Sequence, residues 1–340
     1  MTSNYQSPTA DDRILWDLHL SAYPLAAVLA ADELGLFQAL AEAPADLQSF
    51  AERHGYSERG VRALLPMLAS LGLLEVRDGV FSASNAARNF LLPSSEYYWG
   101  PVLTVMRNAN PSCAGIVQAL KAPTRGELAH VEAWESATID DAMAKWIGAY
   151  MHSHSLAAAV GVARSGCMTG VRRLLDVGGG SGCYAIALAQ TDPDIRCTVM
   201  DIKGMCEVAD GYIAAGGVSG RVDTAAIDMF REDWPGGYDG MLFSNVFHDW
   251  DFKTCRVLAA KAFAALAPGG RIFLHEILLD DTRGGPLTPA AFSIQMLLST
   301  RGQQFTFGDL REILEEAGFE TTSAVSTHAY FSVVIASKPS

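Results

Sequence analysis

Residues 172–183 read RRLLDVGGGSGC, an apolar strand that runs into a glycine-rich loop at Asp176. After this loop, short apolar runs alternate with longer runs of helical period. Such alternation builds a mostly parallel sheet with helices on both faces. The last two apolar runs meet at Thr327-His328 and predict a hairpin, which places one antiparallel strand in the sheet. We therefore predict an α/β domain over residues 166–340.

The first 110 residues have a different pattern, in which leucines recur at helical spacing. Two predicted helices meet around Gly55-Tyr56-Ser57, and two short strands follow, joined by the hairpin dipeptide Asp78-Gly79. This order is the winged-helix pattern, which often binds DNA. However, residues 1–90 hold six Arg, no Lys and eleven acidic residues, whereas a DNA-binding face makes about 6–10 phosphate contacts. We therefore predict a helical, winged-helix-like dimerisation domain over residues 1–110 and no nucleic-acid partner.

Residues 111–165 lie between these two domains. Four prolines predict irregular chain over residues 91–140. A long helix follows from about Asp140 to Arg164. Residues 111–165 are therefore assigned as a linker and helices that clamp a substrate. The long helix carries two stripes at a spacing of four, Met143-Ile147-Met151-Ser155 and Trp146-Tyr150-His154.

Composition limits the possible partners and the compartment. The chain has 340 residues, with 25 Lys and Arg against 38 Asp and Glu, so it repels phosphate backbones and anionic lipids. Its six cysteines contain no CxxC pair, which argues against a structural zinc or a disulfide framework. The first twenty residues are too acidic for a secretory signal, and the apolar stretch Tyr23–Phe37 is too short to span a bilayer. We expect a cytoplasmic protein without a membrane partner or metal.

The glycine loop indicates which cofactor is bound. A dinucleotide fingerprint and a G-x-S-x-G nucleophile elbow would each need Gly at 183, where Cys183 stands, and a Walker loop would need a lysine. The remaining pattern, Asp-x-Gly-x-Gly-x-Gly, is the form that holds S-adenosylmethionine (SAM). This cofactor has no pyrophosphate, so the loop has no phosphate groups to bind. The candidate cofactor residues of this loop are Asp176, Gly178, Gly179, Gly180 and Gly182.

Carboxylates at the ends of the next two strands support this cofactor. Asp201 ends the second strand, where it can accept hydrogen bonds from ribose hydroxyls. Asp228-Met229 ends the third strand, placed to bond the adenine amine and to pack on its ring. Each Asp alone would often be a helix cap, but three at successive strand ends indicate SAM.

Two further segments complete a family pattern. Phe247-His248-Asp249-Trp250 follows the fourth strand, and residues 306–319 read TFGDLREILEEAGF. With LLDVGGGSG and DMF, these segments make the chain resemble the plant-type and bacterial small-molecule O-methyltransferases over nearly its whole length. The resemblance implies a Rossmann-like class I methyltransferase fold and a homodimer whose N-terminal domain closes the partner's substrate pocket. It also implies methyl transfer from SAM to a hydroxyl of a small aromatic, phenolic acceptor in secondary metabolism.

The resemblance assigns roles to residues by position. His248 matches the family's general base and Glu276 its partner acid, while Asp249 and Trp250 lie against substrate and cofactor. Independently of the resemblance, a positioned neutral imidazole (pKa about 6.5) can take the proton of a phenol (pKa about 10) as methyl transfer proceeds. A carboxylate on the far ring nitrogen fixes the tautomer.

The long helix resembles the family's MxxHS segment. Met151 then clamps an aromatic acceptor, Ser155 lies near the SAM carboxylate, and His154 and Ile147 of the two stripes join the substrate site. His152 and His154 diverge on a helix, which argues against a metal site.

Two positions depart from the family. Ser244, a candidate cofactor residue, stands where plant members have a basic residue, and Gln304, a candidate substrate residue, stands where a second Glu flanks the base. The neutral Gln304 leaves C-methylation open, on a phenol-activated ring carbon or an α-keto acid, with or without a metal. A SAM-binding or winged-helix regulator without catalysis is a remote alternative.

Overall fold

The computed structural model describes residues 10–109, 113–121 and 139–340. The described residues form two compact units, one ending at Asn108 and the other beginning at Ala109. The division lies close to the domain boundary predicted after residue 110.

The first unit is helical with one small hairpin. Asp46 and Ser57 cap the two helices of the predicted helix-turn-helix, and Gly55 ends the first with a φ of 68°. Leu and Phe side chains from these helices and from the hairpin form one buried core. The predicted winged-helix-like order is therefore present. Its elements are α1 Arg13–Leu20, α2 Ala22–Glu33, α3 Leu36–Glu42, α4 Leu47–His54, α5 Glu58–Ser70, β1 Leu74–Arg77, β2 Val80–Ala83, α6 Asn85–Phe90 and α7 Gly100–Asn108.

The stretch Arg13–Glu33, which spans α1 and α2, carries an exposed apolar surface. By length and composition this stretch could cross a membrane, and very little of it is buried within the single chain. It starts before Tyr23–Phe37, the apolar stretch that is too short to span a bilayer. Such a surface indicates contact with a second apolar surface. Its exposed side chains are Ile14, Leu15, Trp16, Leu18, Leu20, Tyr23 and Leu25.

The second unit is the predicted α/β domain. Its seven-stranded sheet has the order β5-β4-β3-β6-β7-β9-β8, and β9 alone runs in the direction opposite to the other strands. The predicted fold class, with its single antiparallel strand, is confirmed. The described elements are α8 Cys113–Lys121, α9 Asp141–Ser165, β3 Arg173–Val177, α10 Cys183–Thr191, β4 Arg196–Asp201, α11 Lys203–Ala215, β5 Val222–Ala226, β6 Tyr238–Ser244, α12 Phe252–Ala265, β7 Leu266–Ile277, α13 Leu287–Ser299, α14 Phe307–Glu316, β8 Glu320–His328 and β9 Phe331–Ser337.

The sheet divides the core into two layers. Leu174 of β3 and Phe273 of β7 pack on the face covered by α9 and α10, whereas the next residues, Leu175 and Leu274, pack against α12 and α14. This alternation follows from the period of two in a strand. Strands β3, β4 and β6 are parallel neighbours, so their carboxyl ends meet at one edge, where open α/β folds bind ligands.

Three helices depart from the sequence expectation. Helices α7 and α8 lie in the segment expected to be irregular, and helix α13 has no counterpart in the sequence reading. Pro101 and Pro289 fall in the first turns of α7 and α13, where proline costs no intrahelical hydrogen bond. The prolines therefore begin these helices instead of breaking them.

Candidate active site

The glycine loop after β3 needs its glycines for backbone reasons. Gly178, Gly180 and Gly182 have φ values of 66°, 58° and 73°, which side-chain-bearing residues rarely adopt. A Cβ at Gly179 would lie 2.8 Å from the Asp176 carboxylate. The loop therefore brings bare backbone to the amino end of α10, next to an open cleft.

Asp176 ends β3 inside this cleft. Its carboxylate is fully buried, and neither oxygen has a hydrogen-bond partner among the described residues. Burial, together with the nearby Asp201 carboxylate, raises the pKa of Asp176 to about 7. A buried carboxylate of this kind is a place for a cationic or hydrogen-bonding ligand.

Asp201 ends β4, and Asp228 lies two residues after the end of β5 instead of at its end. The Asp201 carboxylate accepts hydrogen bonds from the backbone N–H of Gly180 at 2.9 Å and of Ile202 at 2.7 Å, and burial raises its pKa to about 6. Asp228 accepts from Phe230 N–H and from the Arg231 guanidinium, so it caps its own turn. Both carboxylates also line the cleft.

The cleft has two connected halves, which share Met151, Gly178, Asn245 and Asp249. The Asp201 half holds about 850 Å³ of open space and is mostly apolar, with Asp201 and Asp228 at its polar points. The His248 half holds about 790 Å³ and contains the glycine loop, Asp176 and His248. The apolar lining of the Asp201 half is Met200, Ile202, Ile227, Met229, Phe230, Val246 and Trp250.

His248 and Glu276 form a buried pair across β6 and β7. His248 lies in a short 3₁₀ turn, Phe247–Asp249, directly after β6, and its Nδ1 is 2.7 Å from Glu276 Oε2. The other carboxylate oxygen accepts from Phe247 N–H at 3.1 Å. His248 Nε2 lies 3.7 Å from Asp249 Oδ1. Glu276 thereby holds the ring with Nδ1–H toward itself and leaves Nε2 to accept a proton.

The charge state of His248 depends on its carboxylate neighbours. Burial lowers the pKa of His248, but the carboxylates of Glu276 and Asp249 outweigh burial and raise the pKa to about 9. An imidazole in water has a pKa of about 6.5. His248 therefore loses its proton at a higher pH than an ordinary imidazole, and only then can it act as a base.

The long helix α9 lines the His248 half with three of its predicted residues, Met151, His154 and Ser155. Burial lowers the pKa of His154 to about 4, and its Nδ1 lies 3.1 Å from Ser155 Oγ. His152 points to the glycine loop, with Nδ1 3.1 Å from Ser181 Oγ, and stacks on Tyr212. This contact joins α9 to the loop.

Three predicted site residues have a different environment from the one expected. Ser244 borders the cleft, but its Oγ lies 3.0 Å from Nδ1 of His275, on the far face of β7 from Glu276. Ile147 lies one helical turn before Met151 and does not line either half. Gln304 is buried without a hydrogen-bond partner for its side chain among the described residues, and it is outside both linings.

Two features of the cleft were not predicted from the sequence. They are the wall formed by α13 and a residue with left-handed backbone after β6. Phe292, Gln295 and Met296 of α13 line the His248 half, and the Phe292 ring lies 5.2 Å from that of His248. Asn245 has a φ of 55°, and its buried side-chain oxygen lacks a partner among the described residues. An Asn directly after a strand, where left-handed backbone is tolerated, is the one signal that the sequence offered.

The donor set fits SAM. Asp176, Asp201, Asp228 and Asp249 line the cleft, and none of its described lining residues is Lys or Arg. Carboxylates suit the sulfonium, ammonium and ribose hydroxyls of SAM, whereas a pyrophosphate would be repelled. Asp201 and the wall of the Asp201 half would hold the adenosine, and the loop with Asp176 would hold the amino-acid end.

Comparison with known proteins also indicates a methyltransferase that uses SAM. Residues 124–320 match the O-methyltransferase domain, and residues 16–93 match the O-methyltransferase dimerisation domain. The chain belongs to the O-methyltransferase family. As a member of that family, it is a SAM-dependent enzyme that acts on small molecules, and the buried His248–Glu276 pair lies within the matched domain.

Relatives of this O-methyltransferase include enzymes of known activity. The 3-hydroxy-5-methyl-1-naphthoate 3-O-methyltransferase of Streptomyces sahachiroi is 35% identical over 90% of this chain and 88% of its own. The L-tyrosine C(3)-methyltransferase of Streptomyces lavendulae is 31% identical over 45% of this chain and 42% of its own. The structure of human N-acetylserotonin methyltransferase with SAM has the same fold, with a TM-score of 0.80 and 24% identity over 98% of this chain and 100% of that one.

We expect Asp201→Ala to weaken SAM binding by about 1–3 kcal/mol, because a partly buried acceptor and a contact to the glycine loop are lost. Titration calorimetry of SAM with the purified variant measures the change. Asp223→Ala is the matched control. Asp223 lies near the start of β5, where the amino ends of the parallel strands meet, whereas Asp201 lies at their carboxyl ends. Equal affinity of the Asp201 variant and the wild type would remove Asp201 from the cofactor site.

The pH dependence of turnover should follow His248. With the neutral imidazole as the predicted proton acceptor, kcat/KM should rise with pH and level off above the raised pKa of about 9. Glu276→Gln removes the charge that raises this pKa, and we expect the rising limb to move down by about 1–3 pH units while the plateau falls.

The pH profile needs a control for general charge effects. Glu312→Gln removes one negative charge from the exposed face of α14 and should leave the limb in place. If the rising limb of the kcat/KM profile kept its position on the pH axis in Glu276→Gln, the titrating group would be a residue other than His248.

Proposed function

We propose that this O-methyltransferase transfers the methyl group of SAM to the hydroxyl of a small phenolic metabolite, with His248 as general base. The observation that carries the proposal is the buried 2.7 Å pair of His248 and Glu276 at the edge of a cleft that suits SAM. The naphthoate 3-O-methyltransferase relative, which methylates an aromatic hydroxyl by its name, supports an acceptor of this class.

SAM supplies an electrophilic methyl group when it is bound. Glu276 keeps Nδ1 of His248 protonated and the ring oriented, so that Nε2 accepts the proton of the acceptor hydroxyl as its oxygen becomes the nucleophile. Met151, Phe292 and Met296 offer apolar and aromatic surface for the acceptor ring. Much of the rate then comes from holding the hydroxyl in line with the methyl group.

C-methylation is the second candidate. It is favoured by the L-tyrosine C(3)-methyltransferase relative and by the neutral Gln304 in place of a second acid. The same base would deprotonate a phenol, and the negative charge would then be delocalised onto a ring carbon. Product NMR after reaction with methyl-labelled SAM separates the two outcomes, since an O-methyl and an aryl C-methyl carbon resonate far apart.

We also propose that the enzyme is a cytoplasmic homodimer. The match to a dimerisation domain covers residues 16–93, and the exposed apolar face of Arg13–Glu33 falls largely within it. All six cysteines are unpaired, as suits a reducing compartment.

His248→Gln should bind SAM with wild-type affinity and lose about 10²–10⁴-fold in kcat, because a positioned base contributes that factor and a carboxamide cannot accept the proton. Turnover of a simple hydroxynaphthalene with labelled SAM gives kcat, and calorimetry gives the SAM affinity. His54→Gln, in the first unit, is the matched control. Full turnover by His248→Gln would leave positioning alone as the source of the rate.

The homodimer is tested by sedimentation. We expect a mass of about twice 36.4 kDa for the wild type and a shift toward the monomer for Leu18→Glu, which places a charge in the exposed apolar face. Asp17→Asn, on the neighbouring residue, is the control that should stay dimeric. A wild-type monomer at all concentrations with full activity would contradict the proposal.

A further inference from the structure

Three hydroxyl groups lie together beside the glycine loop. Ser155 of α9, Tyr184 of α10 and Ser244 of β6 all line the His248 half of the cleft. Burial raises the pKa of Tyr184 well above its ordinary value, and the hydroxyls of Ser244 and Ser155 are near enough to lower it in part. The same half of the cleft contains the loop and Asp176, which fit the amino-acid end of SAM.

Only two of these three hydroxyls have a partner among the described residues. Ser155 Oγ lies 3.1 Å from His154 Nδ1, and Ser244 Oγ lies 3.0 Å from His275 Nδ1. The Tyr184 side chain is buried, with 4% of the residue exposed, and its hydroxyl makes no hydrogen bond with any described residue. A buried polar group without a partner destabilises a folded protein, so this hydroxyl indicates a ligand that completes it.

The surroundings of Tyr184 fix its ring and keep its hydroxyl a donor. The ring packs edge-on against His275, with centroids 5.3 Å apart and planes at 64°. Tyr184 is the second residue of α10, directly after the glycine loop, so the helix holds its backbone as well. With a raised pKa, the phenol keeps its proton at neutral pH, and a neutral phenol has one hydrogen to donate.

We propose that the Tyr184 hydroxyl donates a hydrogen bond to the carboxylate of the amino-acid end of SAM. That end carries an ammonium and a carboxylate. The Asp176 carboxylate suits the ammonium, whereas a hydroxyl donor suits the carboxylate, since hydrogen bonds to charged acceptors are the strong ones. The role concerns the cofactor alone, so it holds for O-methylation and C-methylation alike.

Two ligands that differ only in the carboxylate test the proposal. S-adenosylhomocysteine has this group, and its decarboxylated analogue, 5′-deoxy-5′-(3-aminopropylthio)adenosine, lacks it. We expect Tyr184→Phe to weaken binding of S-adenosylhomocysteine by about 10–100-fold, the factor for a lost hydrogen bond to a charged group, and to leave binding of the analogue within about 2-fold. Titration calorimetry measures both affinities.

Thermal unfolding without ligand separates this role from a structural one. Phe keeps the ring and its packing against His275, and the hydroxyl has no partner to lose among the described residues, so Tyr184→Phe should leave Tm unchanged or raise it. Tyr238→Phe is the matched control. Tyr238 is also buried, but its hydroxyl donates to Thr198 Oγ1 at 3.0 Å, at the start of β6 and away from the cleft. This variant should lower Tm and bind both ligands with wild-type affinity.

Wild-type affinity of Tyr184→Phe for S-adenosylhomocysteine would overturn the proposal. An equal loss for both ligands would also overturn it, because the hydroxyl would then act on a part of the cofactor other than the carboxylate. A third ligand, the deaminated analogue of S-adenosylhomocysteine, keeps the carboxylate and lacks the ammonium. Tyr184→Phe should weaken its binding as much as that of S-adenosylhomocysteine, and an unchanged affinity would assign the hydroxyl to the ammonium instead.

Discussion

The Glu276 carboxylate at the end of β7 is the contact on which the active site depends. One oxygen accepts the Nδ1–H of His248, and the other accepts the backbone N–H of Phe247, so a single side chain fixes both the ring and the turn that carries it. The carboxylate is 1% exposed, and removing its partners would leave a buried charge unpaired. Base, turn and strand are therefore held together as one unit.

The surroundings of three histidines decide which of them can act as the base. His154 is half-buried and His275 is buried, neither has a carboxylate partner among the described residues, and desolvation lowers their pKa values to about 4 and about 3. His275 instead lies 3.0 Å from Ser244 Oγ and 3.0 Å from Thr327 Oγ1. Of the three, only His248 both pairs with a carboxylate and borders the cleft, and this environment supports His248 as the proposed base.

The carboxylates of the cleft have no Lys or Arg partner among its described lining residues. Asp176 and Asp201 border the space that fits a cationic cofactor, and their burial without basic partners suits a sulfonium and an ammonium. Asp249 lies where the two halves meet and adds a further carboxylate to the lining. The cleft is therefore strongly negative, which favours a cationic ligand such as SAM.

The sequence by itself determined the α/β fold, the glycine loop and the carboxylates at the strand ends, because strand and helix periods and the backbone needs of glycine are local properties. It also singled out His248 and Glu276, which are 28 residues apart along the chain. Only the tertiary structure decided that these two side chains pair at 2.7 Å, that α13 brings Phe292 and Met296 to the lining of the His248 half, and that Ile147 and Gln304 stay outside this lining. Those facts depend on contacts between elements distant in sequence, and the raised pKa of His248 depends on them as well, since burial and neighbouring charges exist only once the chain has folded.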